Sequence, residues 1–125
     1  MSEVEIASPV PVLVRGASVS LGPFAPWGPA LTDGMRAAER QFYADPAAGV
    51  QMGYWEGTPG ESRASRDGYT EIFHVISGEA TLHTDGAESI RLEAGDTVST
   101  PSGWSGRWEI HRPLRKMFVV VYDRG

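Results

Sequence analysis

Cysteine is absent from the 125 residues, which excludes a disulfide framework, a thiolate metal site and a cysteine nucleophile. Positive charge is also scarce. Eleven Lys and Arg stand against 16 Asp and Glu, a formal charge of −5. Phosphate backbones are held by clustered cations, so nucleic acid is not an expected partner. The basic residues that do stand close together, Arg107, His111, Arg112, Arg115 and Lys116, are interleaved with strand-forming residues and build no basic arm. No apolar run approaches the ~20 residues of a membrane span, and the first residues lack the basic-then-apolar pattern of a secretion signal. A soluble, cytoplasmic chain with no membrane partner is the expectation. A linked Ser-His-Asp spacing, a phosphate-binding glycine loop and a dinucleotide fingerprint are missing as well.

What the chain has in quantity is turn chemistry. Fifteen glycines and nine prolines are far too many for a helical bundle and suit short strands joined by tight turns. The length supports one domain with one core. Residues 1–34 read as an arm: Pro9, Pro11, Pro23, Pro26 and Pro29 forbid a long helix, yet Val12, Leu13, Leu21, Phe24 and Trp27 need apolar cover. The arm is expected to lie across the barrel or across a partner subunit, with the barrel itself in residues 35–125. The stretch Arg36–Tyr43 has some helical propensity, but Asp45-Pro46 and Ala47-Ala48-Gly49 look like a hairpin loop into a strand at Val50–Glu56, so a strand pair is preferred. Glu61 to Gly68 is polar and aperiodic and reads as a loop. Further strands are expected at Tyr69–Ile76, Glu79–Thr84, Ser89–Leu92, Thr97–Thr100, Gly106–His111 and Arg115–Tyr122. They are separated by Ser77-Gly78, Asp85-Gly86, Ala94-Gly95-Asp96 and Pro101-Ser102-Gly103. Eight or nine short strands without a helix point to an all-β jelly roll or small barrel.

Two stretches resemble the cupin superfamily. Glu71-Ile72-Phe73-His74-Val75-Ile76-Ser77-Gly78 matches the end of the first cupin motif, with Pro59-Gly60 where that motif begins. Gly95-Asp96, then Pro101-Ser102-Gly103 and Gly106, follow the spacing of the second motif, and the Asp85-Gly86 hairpin lies between them. Within the cupins the chain is similar to the small single-domain group related to (S)-ureidoglycine aminohydrolase and the ethanolamine-utilisation cupin. The residues that carry this are Gly53-Tyr54-Trp55-Glu56-Gly57-Thr58-Pro59-Gly60, Trp108-Glu109-Ile110 and Arg115-Lys116. The resemblance implies a single cupin barrel, and the Pro-rich arm attached to it is expected to contribute to a homodimer. Many members of the group have no assigned function.

Metal-binding cupins place His-x-His before the Glu and a further His in the second motif. Here the first window holds Ala64, Ser65, Arg66 and Asp67, and the second position is Gly106. Only Glu71 remains, so no metal and no other cofactor is expected. Strand parity keeps the three histidines out: with Glu71 inward, Phe73 and Val75 follow it, whereas His74 faces out. His74 and His83 would form a pair on that outer face, at an interface or in solvent. An Asp67–Glu71 pair would hold a hard cation only weakly.

The candidate catalytic residues are Glu71 and Lys116. An inward carboxylate needs a partner or a proton. Glu71 then serves as acid or base, anchors a ligand amine or hydroxyl, or is a remnant of the fold neutralised by Lys116. The candidate ligand-binding residues are Trp55, Arg66, Phe73, Trp104 and Trp108. Trp108 shares the parity of Gly106 and either stacks on a ligand or plugs the volume of the missing histidines. Trp104 is expected as an exposed indole at the barrel mouth. Arg63 and Arg66, on the 61–68 loop, either grip a carboxylate or stay solvated. The leading function is a metal-free barrel that binds a small polar metabolite. The alternative is a hydrolase resembling (S)-ureidoglycine aminohydrolase that acts on a small nitrogenous or carboxylated metabolite.

Overall fold

The computed structural model describes residues 9–124, so the reading of residues 1–8 as the start of the arm lies outside the described residues. Eight strands and no helix are found among them: β1 Ala25–Pro26, β2 Arg36–Asp45, β3 Val50–Gly57, β4 Gly60–Ser65, β5 Tyr69–Thr84, β6 Ile90–Glu93, β7 Thr97–Thr100 and β8 Ser105–Tyr122. The helical propensity of Arg36–Tyr43 loses to tertiary pairing: β2 runs antiparallel to β3 from Ala37↔Gly57 to Asp45↔Val50.

The two longest strands are the spine. β5 and β8 pair from Tyr69↔Tyr122 to Thr84↔Gly106, with register shifts between Val75 and Ala80. Those shifts divide the spine between the two layers of a jelly roll. The first half of β5 lies between β7 and the last half of β8, which continues through β3 and β2 to β1. The first half of β8 pairs with β4, and the second half of β5 with β6. Two expectations are corrected here. Ser77-Gly78 does not turn the chain, and Gly106–His111 and Arg115–Tyr122 are one strand. Gly78 sits in β5 at φ +100°, and a Cβ there would come within 2.2 Å of the Pro113 carbonyl oxygen. The glycine is therefore a bulge that lets two strands bend together against Pro113.

The stretch read as a loop, Glu61 to Gly68, is also corrected. Its first part is β4, which pairs with β8 from Gly60↔Ile110 to Ser65↔Ser105. It carries no apolar alternation because its inward positions, Ser62 and Ala64, face a partly polar cavity. Its free edge is covered by the arm: Leu31 N donates to Glu61 O (2.7 Å) and Arg63 N to Pro29 O (3.0 Å).

The main core fills the space between the layers with Phe73, Val75, Leu82 and Leu114, each at most 1% exposed, together with Ile110, Phe118 and Val120. A second cluster on the outer face of β2 and β3 joins Leu21, Ala38 and Tyr54, with Val14, Val19 and Met117 packed against it. The buried guanidinium of Arg115 pins that part of the arm. Its Nε donates to Gly16 O (2.9 Å), its Nη2 to Val19 O, and its Nη1 to Glu56 Oε1 (3.0 Å).

Candidate functional site

Between the layers, open at one end, lies a cavity of about 680 Å³, a size ordinary for a small-molecule site. Strand alternation determines what enters it. On β5, Glu71 precedes the core residues Phe73 and Val75 on the inward face, while Ile72 is 40% exposed. On β8, Trp108 and Ile110 point inward before the bend, and Lys116, Phe118 and Val120 after it. Trp55 enters from β3, and Arg66 stands just past the end of β4.

These elements converge on one carboxylate. Lys116 Nζ donates to Glu71 Oε2 at 2.6 Å, and Arg66 Nη2 stands 3.5 Å from the same oxygen. All three residues are at most 8% exposed. Arg66 is held by its other nitrogens: Nε donates to Thr100 Oγ1 (2.9 Å), which donates in turn to Glu71 O (2.9 Å), and Nη1 donates to Ser65 O (3.3 Å). Around the ammonium lie the rings of Phe73, Trp108 and Trp55, with centroids 4.7, 4.9 and 5.6 Å from Nζ, so cation–π attraction offsets part of its lost hydration. Burial still pushes the Lys116 amine below its ordinary range, against the opposing pull of Glu71.

Trp55 stacks edge-on to Trp27, with centroids 5.5 Å apart. Trp27 Nε1 donates to Ser62 Oγ (3.1 Å), whereas Trp55 Nε1 is a buried donor with no acceptor among the described residues. Such a donor is costly unless something pairs with it.

Five of the seven candidate residues line the cavity: Glu71, Lys116, Trp55, Arg66 and Trp108. Arg66 is buried in the charge cluster and not solvated, because its backbone just past β4 pairs with Gly103 and Trp104 and its side chain turns in to Thr100 and Glu71; Arg63 stays exposed at the rim. Phe73 is corrected from ligand wall to core. It is 0% exposed, lies under the ammonium and packs against Trp108 (5.0 Å). Trp104 is corrected too. It stands outside the cavity lining, its Nε1 donates to Thr84 Oγ1 (2.9 Å), and the Arg66 guanidinium lies 5.2 Å from its ring. Asp67 is exposed and outside the lining, so no Asp67–Glu71 pair forms. His74 and His83 do not meet: His74 Nδ1 bonds Thr97 Oγ1 (2.7 Å), and His83 Nε2 bonds Glu109 Oε1 (2.9 Å).

Sequence reasoning missed Glu39, Trp27 and Ser62. Glu39 follows the inward Ala37 by two residues on β2 and lines the cavity while staying open to solvent. Partial desolvation raises its carboxyl pKa, Lys116 lowers it and Glu71 raises it. The strand preferred over Arg36–Tyr43 offered the signal, since Glu39 shares the parity of Ala37.

The metal-binding arrangement of cupins does not fit these residues. Ala64 offers no donor, Arg66 brings a cation, and Glu71 already bonds Lys116. At Gly106 a Cβ would meet His83 O at 1.9 Å and the Trp104 ring at 2.8 Å, so no side chain enters there. Two cationic side chains stand against the one remaining carboxylate.

The family model for the EutQ-like cupin domain matches residues 44–118. No curated protein matches the sequence. Among solved structures, a putative ethanolamine utilization protein Q from Salmonella typhimurium has TM-score 0.64 at 19% identity, covering 81% of this chain and 80% of its own. The EutQ protein of Clostridium difficile has TM-score 0.63 at 16% identity, covering 74% of this chain and 66% of its own. A DUF861-family protein of unknown function from Pseudomonas syringae pv. tomato has TM-score 0.68 at 23% identity. It is covered over 81% of this chain, which spans only 45% of that protein. At these identities the likeness is one of fold.

Proposed function

The chain belongs to the EutQ-like cupin domain family, and from that premise we propose that it is a metal-free barrel that binds a small polar metabolite against the Glu71–Lys116 pair. The observation that carries the reading is the pair itself: a charged centre at most 8% exposed on the wall of a 680 Å³ cavity. A buried ion pair adds little net stability, so its position in the lining favours a role in orienting a ligand. Trp55, Trp108 and Trp27 supply flat apolar walls, and the unpaired Trp55 Nε1 offers a donor to a ligand acceptor. No helix among the described residues is long and apolar enough to cross a membrane. Homodimerisation belongs to the same proposal and is supported by Ile72 and Val121, about 40% exposed on the outer face.

The test is a thermal-shift screen of small polar metabolites against protein purified without chelators, with elemental analysis of the same sample. A ligand that raises the melting temperature of the wild type, and not that of folded Glu71→Gln, supports the reading. Equal shifts in both, or one equivalent of a divalent transition metal lost in Glu71→Ala, overturns it.

A further inference from the structure

Lys116 is the only lysine in the chain; the other ten cationic side chains counted as Lys or Arg are arginines. The protein therefore meets its surface charge with guanidinium groups, and it also uses arginine where a buried cation acts as a clamp. Arg115 makes three hydrogen bonds, two of which tie the arm to the barrel, and Arg66 makes two besides its contact with Glu71. Lys116 clamps nothing. Among the described residues its ammonium makes one hydrogen bond, to Glu71 Oε2, and otherwise it faces aromatic rings and the cavity. The property an amine has and a guanidinium lacks is that it can give up its proton and become a nucleophile. Burial, which pushes this amine below its ordinary range, favours that state.

We propose that Lys116 forms an imine with a small aldehyde or ketone bound in the barrel cavity, with Glu71 carrying the protons. The step balances within the residues present. Glu71 accepts a proton from Nζ across the 2.6 Å hydrogen bond, leaving a neutral amine beside a neutral carboxyl. The Nζ lone pair attacks the carbonyl carbon as the C=O π bond breaks. Glu71 returns a proton to the oxygen and takes one from nitrogen, giving the carbinolamine. A second protonation of that oxygen by Glu71 expels water, and the nitrogen lone pair forms C=N. The products are the iminium, the Glu71 carboxylate and one water, with no change of oxidation state. Arg66, 3.5 Å from Glu71, stabilises the carboxylate at the end of the sequence. The rings of Trp55 and Trp108 beside the ammonium, both in the cavity lining, suit a planar carbonyl compound.

This inference rests on the cavity being a ligand site, and the experiment separates the two. The probe is 4-hydroxybenzaldehyde with sodium cyanoborohydride, and its control is 4-hydroxybenzyl alcohol, which has the same shape and no carbonyl. Lys116 and the α-amine are the chain's only primary amines, so peptide mass mapping reads their labelling ratio within one molecule. Lys116 is expected to be labelled at least tenfold faster than the α-amine. Glu71→Gln should slow it at least tenfold, and Lys116→Arg should show no label there. Labelling of the α-amine alone overturns the imine. If the alcohol then still raises the melting temperature, the cavity reading stands without it; if neither probe acts, both fall. Should Glu71→Gln fail to fold, the wild-type ratio alone decides.

Discussion

Removing the carboxylate of the charge cluster should harm the fold more than removing the ammonium, and removing both should harm it less than removing the carboxylate alone. In Glu71→Gln, Lys116 and Arg66 remain as two cations at most 7% exposed with no anion at their centre. Breaking a buried pair on one side costs about 3–5 kcal/mol. The loss has a ceiling, because Lys116 can shed its proton. From the ordinary lysine value of 10.5, deprotonation near neutral pH costs about 4.8 kcal/mol at 1.36 kcal/mol per unit. Glu71→Gln is therefore expected at about 4 kcal/mol. Lys116→Met leaves the carboxylate with Arg66 still 3.5 Å away, which places it lower, at about 2–3 kcal/mol. Adding Lys116→Met to Glu71→Gln removes an uncompensated cation and fills its place with an apolar chain of similar length. The double variant should recover at least ~1 kcal/mol over Glu71→Gln. Urea unfolding followed by tryptophan emission measures all four proteins. At this chain length each kcal/mol moves the melting temperature by roughly 4 °C. Additive losses, or a double variant weaker than Glu71→Gln, would refute the reasoning, since Lys116 would then not be a charge held in place by Glu71.

Three further outcomes follow from the same geometry. Trp108→Ala should cost about 3–5 kcal/mol, because the ring is 6% exposed and packed on Phe73; an unchanged urea midpoint would mean that it is a ligand wall carrying no core load. Gly78→Ala should be among the worst single changes, combining φ +100° with a Cβ 2.2 Å from Pro113 O. A loss below about 1 kcal/mol in the same unfolding assay would show that the bulge relaxes freely. Glu39 binds its proton more readily folded than unfolded, because desolvation raises its pKa above 4.5. Its carboxylate thus weakens the fold at neutral pH, and the cost fades as pH falls through the folded pKa towards the unfolded value. Wild type should gain stability relative to Glu39→Gln as pH falls from neutral towards 4.5, and parallel urea profiles would contradict this.

Much of the fold could be read from local signals. Asp85-Gly86 turns the β5–β6 hairpin with Gly86 at φ +75°, and Asp96 caps its turn by accepting from Glu93 N at 2.8 Å, because these residues impose their geometry within three or four positions. The inward face of Glu71, Phe73 and Val75 was legible for the same reason: alternation along a strand is local. The signals that misled were also local. Ser77-Gly78 has turn composition, yet the partner strand passes beside it and the glycine serves a bulge. Glu61 to Gly68 has loop composition, yet β8 pairs with its first part, Glu61 to Ser65.

The sequence by itself determined the all-β class, the cupin motif spacing, the loss of the histidine ligands and the inward carboxylate on β5. Each depends on residue type and on separations of a few positions. Only the tertiary structure decided which cation meets that carboxylate, since Lys116 and Glu71 are 45 residues apart. It also decided that Arg66 is buried, that Trp104 serves Arg66 and Thr84, and that Glu39 joins the cavity from β2. Parity says which side of a strand a residue faces, but what it meets there depends on the bend at Gly78 and Pro113 that folds two long strands into two layers. That bend is a long-range agreement between strands, and no local pattern encodes it.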